Sequence, residues 1–264
     1  MSEPRVLIFD IETAPYTFRA WSPKQDYIGH HQMREDRCVL AWAAKWRGDP
    51  PSKMIYADQR GRRDMRNDKD LLKKLHALLE EADVIVTKNG KSFDKPVVYG
   101  RMAINEMHPP KPFKHEDVES LFRKHFALPY YNMDYLSQVF CKKYKKGRHK
   151  KFPGNELWDE CLAGNPEAWD EMERYNRLDV LTTEELLDIV SPWGVSVNLN
   201  VMRSGDVFRC SCGSADLEKR GFGYTKHGKF QQYRCRDCGS WPSESGSDNN
   251  LLTPKKRRSL KGRG

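Results

Sequence analysis

The sequence predicts an α/β sheet domain followed by a small cysteine-rich module and a basic tail. Three observations carry this reading. Apolar runs of strand length alternate with stretches of helical periodicity over residues 1–197. Four of the seven cysteines form two tight pairs, Cys210/Cys212 and Cys235/Cys238, while Cys38, Cys141 and Cys161 are scattered. Charge divides at the same place: residues 1–202 carry 32 basic and 31 acidic side chains, whereas residues 203–264 carry 14 and 6, so nearly all of the net +9 belongs to the last quarter. The expected division is a sheet domain over 1–197, a metal-dependent module over 206–242 and a flexible basic tail over 243–264.

Val6–Ile11 reads as a buried strand, Val39–Trp46 as a second and Lys53–Tyr56 as a third. Asp68 is placed to cap a helix whose apolar positions Leu71, Leu72, Leu75, Leu78 and Leu79 follow helical spacing. Val84–Val86 is a short strand ending at Asn89-Gly90. Helical patterns follow over Val97–Asn105 and Asp134–Phe140, and a long one runs from Glu167 to Val190 with Pro166 suited to its first turn. Ser243–Asn250 is polar and of low complexity, and leads into Lys255-Lys256-Arg257-Arg258 with nothing to bury.

Composition excludes several classes. Only 38% of residues are hydrophobic, but 11% are aromatic, which argues against wholesale disorder. No apolar run approaches the ~18–20 residues of a membrane helix. The N-terminal stretch lacks the apolar core of a signal peptide. These features lead us to expect a cytoplasmic protein (host cytoplasm, for a viral chain) with its paired thiols on metal rather than in disulfides.

The chemistry begins at Asp10-Ile11-Glu12, at the end of the first strand. Residues i and i+2 of a strand share a face, so both carboxylates can point to one place. Two acids beside Val6–Phe9 are costly unless a cation or hydrogen bonds compensate them. A second acid, Asp94, closes Asn89-Gly90-Lys91-Ser92-Phe93-Asp94 in the loop after a strand; alone, it reads equally as a helix cap. Tyr175 and Asp179, spaced i and i+4 in the last long helix, share a helix face.

Taken together, Asp-x-Glu on the first strand, Asn-x3-Phe-Asp in a loop and Tyr-x3-Asp on a late helix resemble the DEDD superfamily of 3′–5′ exonucleases, in its tyrosine-bearing DEDDy branch. Leu157-Trp158, Ala163-Gly164-Asn165, Met172–Tyr175 and Pro192-Trp193 look like the bacterial ribonuclease H-like group often called YprB-like. The resemblance spans residues 4–193 and implies a ribonuclease H-like mixed sheet flanked by helices. It implies that Asp10, Glu12, Asp94 and Asp179 hold two Mg²⁺ or Mn²⁺ ions, that Tyr175 orients the attacking water, and that Asn89 and Phe93 shape the terminal-nucleotide pocket. Phe93 is equally suited to the core.

Seven of the ten residues Lys142–Lys151 are Lys or Arg, and Lys145, Lys146, Arg148 and Lys150 are candidates to guide a phosphate backbone toward the acids. Cys210, Cys212, Cys235 and Cys238, each pair followed by glycine, suit one structural Zn²⁺. Gly228–Gly239 resembles the zinc ribbons of InsA-type insertion-sequence proteins. The first pair departs from the usual Cys-x2-Cys spacing and leaves His227 as an alternative ligand. Phe222, Tyr224, Phe230 and Tyr233 interleave with basic residues, as stacking surfaces for nucleic acid do, although some must form the small core.

The leading expectation is a two-metal 3′–5′ exonuclease acting on nucleic acid, DNA favoured over RNA, with a zinc ribbon that aids substrate binding and offers a surface to a protein partner. The competing readings are a transposase or recombinase-like DNA-processing protein and a non-catalytic zinc-ribbon adaptor.

Overall fold

The computed structural model of the protein describes residues 4–22, 24, 26–147, 151–197, 199, 208–225 and 228–242. The basic tail expected over 243–264 lies outside the described residues, as do Arg148, Lys150 and His227. In chain order the elements begin with strand β1 (Val6–Thr13), a small hairpin of β2 (Thr17–Phe18) and β3 (Met33–Glu35), then β4 (Val39–Trp46) and β5 (Ile55–Asp58). Helix α1 (Lys69–Glu81), β6 (Val84–Thr87), α2 (Asp94–Ile104), β7 (Lys114–Asp117), α3 (Val118–His125) and α4 (Met133–Phe140) follow. The last elements are α5 (Glu156–Leu162), α6 (Pro166–Val190), β8 (Leu217–Thr225) and β9 (Gly228–Cys235).

Five strands form one mixed sheet in the order β5-β4-β1-β6-β7, with β1 central. β4 runs antiparallel to both β1 and β5, while β6 and β7 run parallel to β1. This is a mixed α/β architecture with helices on both faces. Alternation along β1 sends Val6 and Ile8 into one layer with Val180, Leu187 and Val190 of α6, and Leu7, Phe9 and Ile11 into the other with Leu72, Leu75, Val98 and Met102 of α1 and α2. A third cluster packs Leu157 and Cys161 of α5 and Trp169 and Met172 of α6 against Leu40 and Ala41 of β4.

Several elements depart from the sequence reading. The third strand begins two residues later than expected, because Pro51 starts a short 3₁₀ turn over Pro51–Lys53. α2 begins at Asp94 rather than Val97, and β1 continues to Thr13, so Asp94 lies on a helix and Glu12 within a strand. The β2–β3 hairpin, β7, α3 and α5 were not anticipated as elements. β7 is the polar run Lys-His-Glu-Asp at a sheet edge, which carries no apolar alternation to read.

Asp68 does not cap α1 with its side chain. It is fully buried and turns inward, accepting hydrogen bonds from Val39 N at 2.9 Å, from Arg101 at 2.8 and 3.0 Å and from Asn105 at 2.8 Å. One carboxylate thus ties the start of β4 to the second half of α2. Removing one partner of a buried pair strands the other charge, so Asp68→Ala should lower unfolding free energy by about 3–5 kcal/mol in urea titration. A loss below about 1 kcal/mol would contradict this account of the tie.

Candidate active site and cysteine centre

The alternation that buries Val6 and Ile8 beside α6 carries Asp10 and Glu12 to the same face. Their direct partners on β4 are Ala43 and Ala41, whose small side chains leave room for the two carboxylates. α6 crosses this face and presents a buried stripe that includes Met172, Asn176, Asp179 and Thr183. One oxygen from each of Asp10, Glu12 and Asp179 lies within 4.8 Å of the others. Asn176 Nδ2 donates to Asp10 Oδ2 at 2.7 Å, and Trp158 Nε1 donates to Glu12 Oε2 at 3.1 Å. These two donors fix the acids from α6 and α5.

Asp94 comes from the opposite layer. β6 pairs with β1 only from Val6 to Ile8, so the β1 edge beyond it is open, and Asp94 Oδ1 accepts from Ile11 N there at 3.1 Å. It stands outside the three-carboxylate group but has the largest charge influence on Asp10 after burial itself. The turn before it is held by Asp117 at the end of β7, which accepts from Asn89 N at 3.2 Å and Lys91 N at 2.9 Å. Position 90 must be glycine, since a Cβ there would fall 2.1 Å from Thr87 Oγ1. Asn89 is exposed with φ of 63°, and Phe93 is half-buried against the α1/α2 layer with the Arg37 guanidinium over its ring at 5.3 Å.

The basic loop contributes differently from the sequence expectation. Glu185 of α6 accepts from the backbone N of Lys142 at 2.7 Å and of Tyr144 at 2.8 Å, and Ser137 Oγ accepts from Lys146 N at 3.0 Å. Those anchors bring Lys146 Nζ to Asp179 Oδ2 at 2.6 Å and over the Tyr175 ring at 4.2 Å. Lys146 is therefore a counter-charge inside the acid cluster. Lys145 is exposed, with Nζ 3.4 Å from the Gln138 carbonyl.

The electrostatics reflect crowding of like charge. Burial, then Asp94, Asp179 and Glu12, push Asp10 well above the carboxylate range. Burial and then Asp179 raise Glu12 to about 8, and burial raises Asp94 to about 7 against the opposing backbone bonds. Asp179 is also raised, by burial, with Lys146 opposing. Burial acts to lower the Lys146 ammonium's pKa, but Asp179 and Tyr175 outweigh it and hold it above its ordinary value. Asp179 Oδ1 is buried with no hydrogen-bond partner. An oxygen-only donor set that resists ionisation, with one orphaned oxygen, fits hard divalent cations.

A pH dependence follows. The folded chain keeps a proton on Glu12 between its ordinary 4.5 and about 8, where the unfolded chain has released it. This site's contribution to stability is therefore greatest below the lower value and is lost as pH rises to the upper one. Cations relieve that loss, so Mn²⁺ should raise Tm more at about pH 8 than at about pH 5. An equal shift at both pH values in scanning calorimetry would contradict the assignment.

The four paired cysteines converge as a second group, all sulfurs within 4.8 Å. Cys210 and Cys238 Sγ lie 3.5 Å apart and Cys212 and Cys235 Sγ 3.7 Å apart. Four thiolates ~2.3 Å from one tetrahedral ion would be spaced by ~3.8 Å. Gly213 and Gly239 follow each pair with φ of 98° and 77°, conformations glycine adopts freely, and donate N–H to Cys210 O and Cys235 O. Burial raises Cys210 and Cys212; burial also acts to raise Cys238, but hydrogen bonds with Ser240 and the neighbouring thiols outweigh it and bring Cys238 to about 7. The β8–β9 hairpin rises from this centre, with Phe222 and Tyr224 exposed and Tyr233 packed 4.8 Å from Phe208.

Sequence reasoning missed Asn176, Trp158 as a donor to Glu12, and Asp117. Asn176 had a signal: it falls four residues after Met172, on the core stripe of α6, where a buried amide needs a partner.

A family profile described as the RNase H superfamily matches residues 49–191. The chain belongs to the RNase H superfamily. The matched span contains Asp94 and Asp179, while Asp10 and Glu12 precede it on the central strand. Among solved structures, the family B DNA polymerase from the hyperthermophilic archaeon Pyrobaculum calidifontis is similar at 18% identity with a TM-score of 0.51, over 76% of this chain and 26% of the polymerase. The chain thus spans about a quarter of that relative, and the likeness is one of fold. Among curated proteins, none matches the sequence. Among the described residues, no helix of this superfamily member is long and apolar enough to cross a membrane.

Proposed function

We propose that this RNase H superfamily protein is a metal-dependent 3′–5′ exonuclease of the DEDDy, YprB-like type. The observation that carries this is the group Asp10, Glu12 and Asp179, drawn from β1 and α6 to within 4.8 Å, with Asp179 Oδ1 unpartnered. Asp10, Glu12, Asp94 and Asp179 would hold two Mg²⁺ or Mn²⁺ ions. Such a pair supplies an activated water and stabilises the leaving 3′-oxygen. Tyr175, beside Asp179, orients that water; burial and then Asp179 raise its pKa, so it serves as a hydrogen-bonding group rather than a base. Asn176 and Trp158 keep Asp10 and Glu12 in place.

Asn89 and Phe93 are assigned to the terminal nucleotide, and Lys145, with Arg148 and Lys150, to the phosphate backbone. The sheet domain over 1–197 performs hydrolysis. The module over 206–242 is an InsA-like zinc ribbon holding one structural Zn²⁺ on Cys210, Cys212, Cys235 and Cys238, which aids capture of nucleic acid and leaves room for a protein partner. DNA is the favoured substrate, RNA the alternative, and the cytoplasm the site of action.

The test is release of nucleoside 5′-monophosphates from 3′-labelled single-stranded DNA and RNA with Mg²⁺ or Mn²⁺. Stepwise loss from the 3′ end is expected. Strand transfer would favour a transposase-like protein, and binding without turnover a zinc-ribbon adaptor; either overturns the proposal.

A further inference from the structure

We propose that the described residues 14–22, 24 and 26–37, which contain the β2–β3 hairpin, form a stacking surface for the single strand that leads into the carboxylate cluster. This inference rests on the nuclease reading of that cluster. The segment leaves β1 directly after Thr13, so its base is beside Glu12 by chain connectivity. That base is firmly tied. Ala14 N donates to Cys38 O at 2.9 Å, Arg66 donates to Asp36 O at 2.6 Å and pairs with Glu35 at 2.7 Å, and Arg19 N donates to Gln32 O at 2.9 Å.

On this fixed base the segment displays what a fold would otherwise bury. Trp21 is 96% exposed and Tyr27 79% exposed, and Tyr16 and Phe18 are exposed beside each other with centroids 5.9 Å apart. Four exposed aromatic rings within twelve residues do nothing for the core. The charges around them are selective. Glu35 is neutralised by Arg66, and Asp36 lies 3.5 Å from Arg101. Among the described residues, the side chains of Arg19, Lys24, Arg34 and Arg37 have no acidic side chain as partner, which leaves four cations against one unpaired acid, Asp26. Exposed rings interleaved with free cations match bases and phosphates. A protein ligand would explain the rings but not the removal of the acids.

The surface is continuous with the site. The Arg37 guanidinium lies over the Tyr16 ring at 4.7 Å and over the Phe93 ring at 5.3 Å, and Phe93 immediately precedes Asp94. Phe18, Tyr16, Arg37 and Phe93 thus form a chain of contacts from the hairpin to the second acidic motif. A duplex keeps its bases stacked on each other, so this surface selects unpaired strands.

The experiment uses the full chain carrying Asp10→Asn, so that the strand is not consumed. Fluorescence anisotropy measures Kd for labelled oligodeoxythymidylate, oligouridylate and a blunt duplex. Because Trp21 and Tyr27 are exposed, their replacement leaves the fold intact. Trp21→Ala with Tyr27→Ala should weaken single-strand binding by about tenfold or more and change duplex binding by less than about twofold. Trp21→Phe should retain most of the affinity. Unchanged single-strand Kd in the double alanine variant, or an equal loss with the duplex, overturns the inference, including where the same variant loses a protein ligand instead. The two oligonucleotide arms separate DNA from RNA. Since the readout is binding, wild-type protein that binds but releases no nucleotide overturns the nuclease reading and leaves this surface standing.

Discussion

Asp179→Asn and Asp10→Asn should each reduce the proposed 3′-nucleotide release by at least about a thousandfold while leaving the protein folded. The size of the effect follows from what each group does. Among the described residues, Asp179 Oδ1 is the one carboxylate oxygen of the cluster that is buried and unpartnered, and Asp10 is crowded by the three other acids. An amide cannot replace the charge that a divalent cation needs, and the remaining carboxylates are already reluctant to ionise. Folding survives for the same reason. Burial and like-charge repulsion make an ionised Asp10 costly to the metal-free fold, and in Asp179→Asn the amide keeps the side chain's shape while Lys146 still has Asp10 and Glu12 nearby to balance its charge. Asp188→Asn serves as the control: it lies on the same helix and pairs with Arg47 at the surface, and its loss should leave turnover unchanged. Turnover within about threefold of wild type in either site variant would remove the site assignment.

The second large effect concerns the cysteine centre. Cys235→Ser should abolish bound zinc and unfold the β8–β9 hairpin, because Cys210 and Cys235 form its buried base and the described core there is otherwise small. Structural zinc contributes about 10–16 kcal/mol to such modules, far more than a two-stranded hairpin supplies alone. Atomic absorption should find the zinc lost, limited proteolysis should cut within residues 208–242, and oligonucleotide affinity should fall more than the turnover rate. Retained zinc and protease resistance in Cys235→Ser would show that these thiols are not its ligands.

How much of this was legible in the sequence depended on burial. β1, β4 and α6 were readable because they are apolar over whole strands or along a full helical stripe. Asp10 and Glu12 on one face follow from strand period alone, and Asp179 beside them needs only that α6 pack on that face. Asp94 was harder to place. It reaches the site from the opposite layer through an edge of β1 that opens only because β6 stops pairing at Ile8. Lys146 could not be distinguished among seven basic residues in its loop; Glu185, far along the chain on α6, is what selects it. The hairpin after β1 was silent because its aromatics face solvent and obey no core period.

The most direct test of the central claim is a crystal of the wild-type protein soaked in Mn²⁺ and measured for anomalous scattering. Density is expected among the carboxylates of Asp10, Glu12 and Asp179, with Lys146 Nζ withdrawn from Asp179. Absence of manganese from this cluster, with the Lys146–Asp179 pair intact at saturating Mn²⁺, would contradict it.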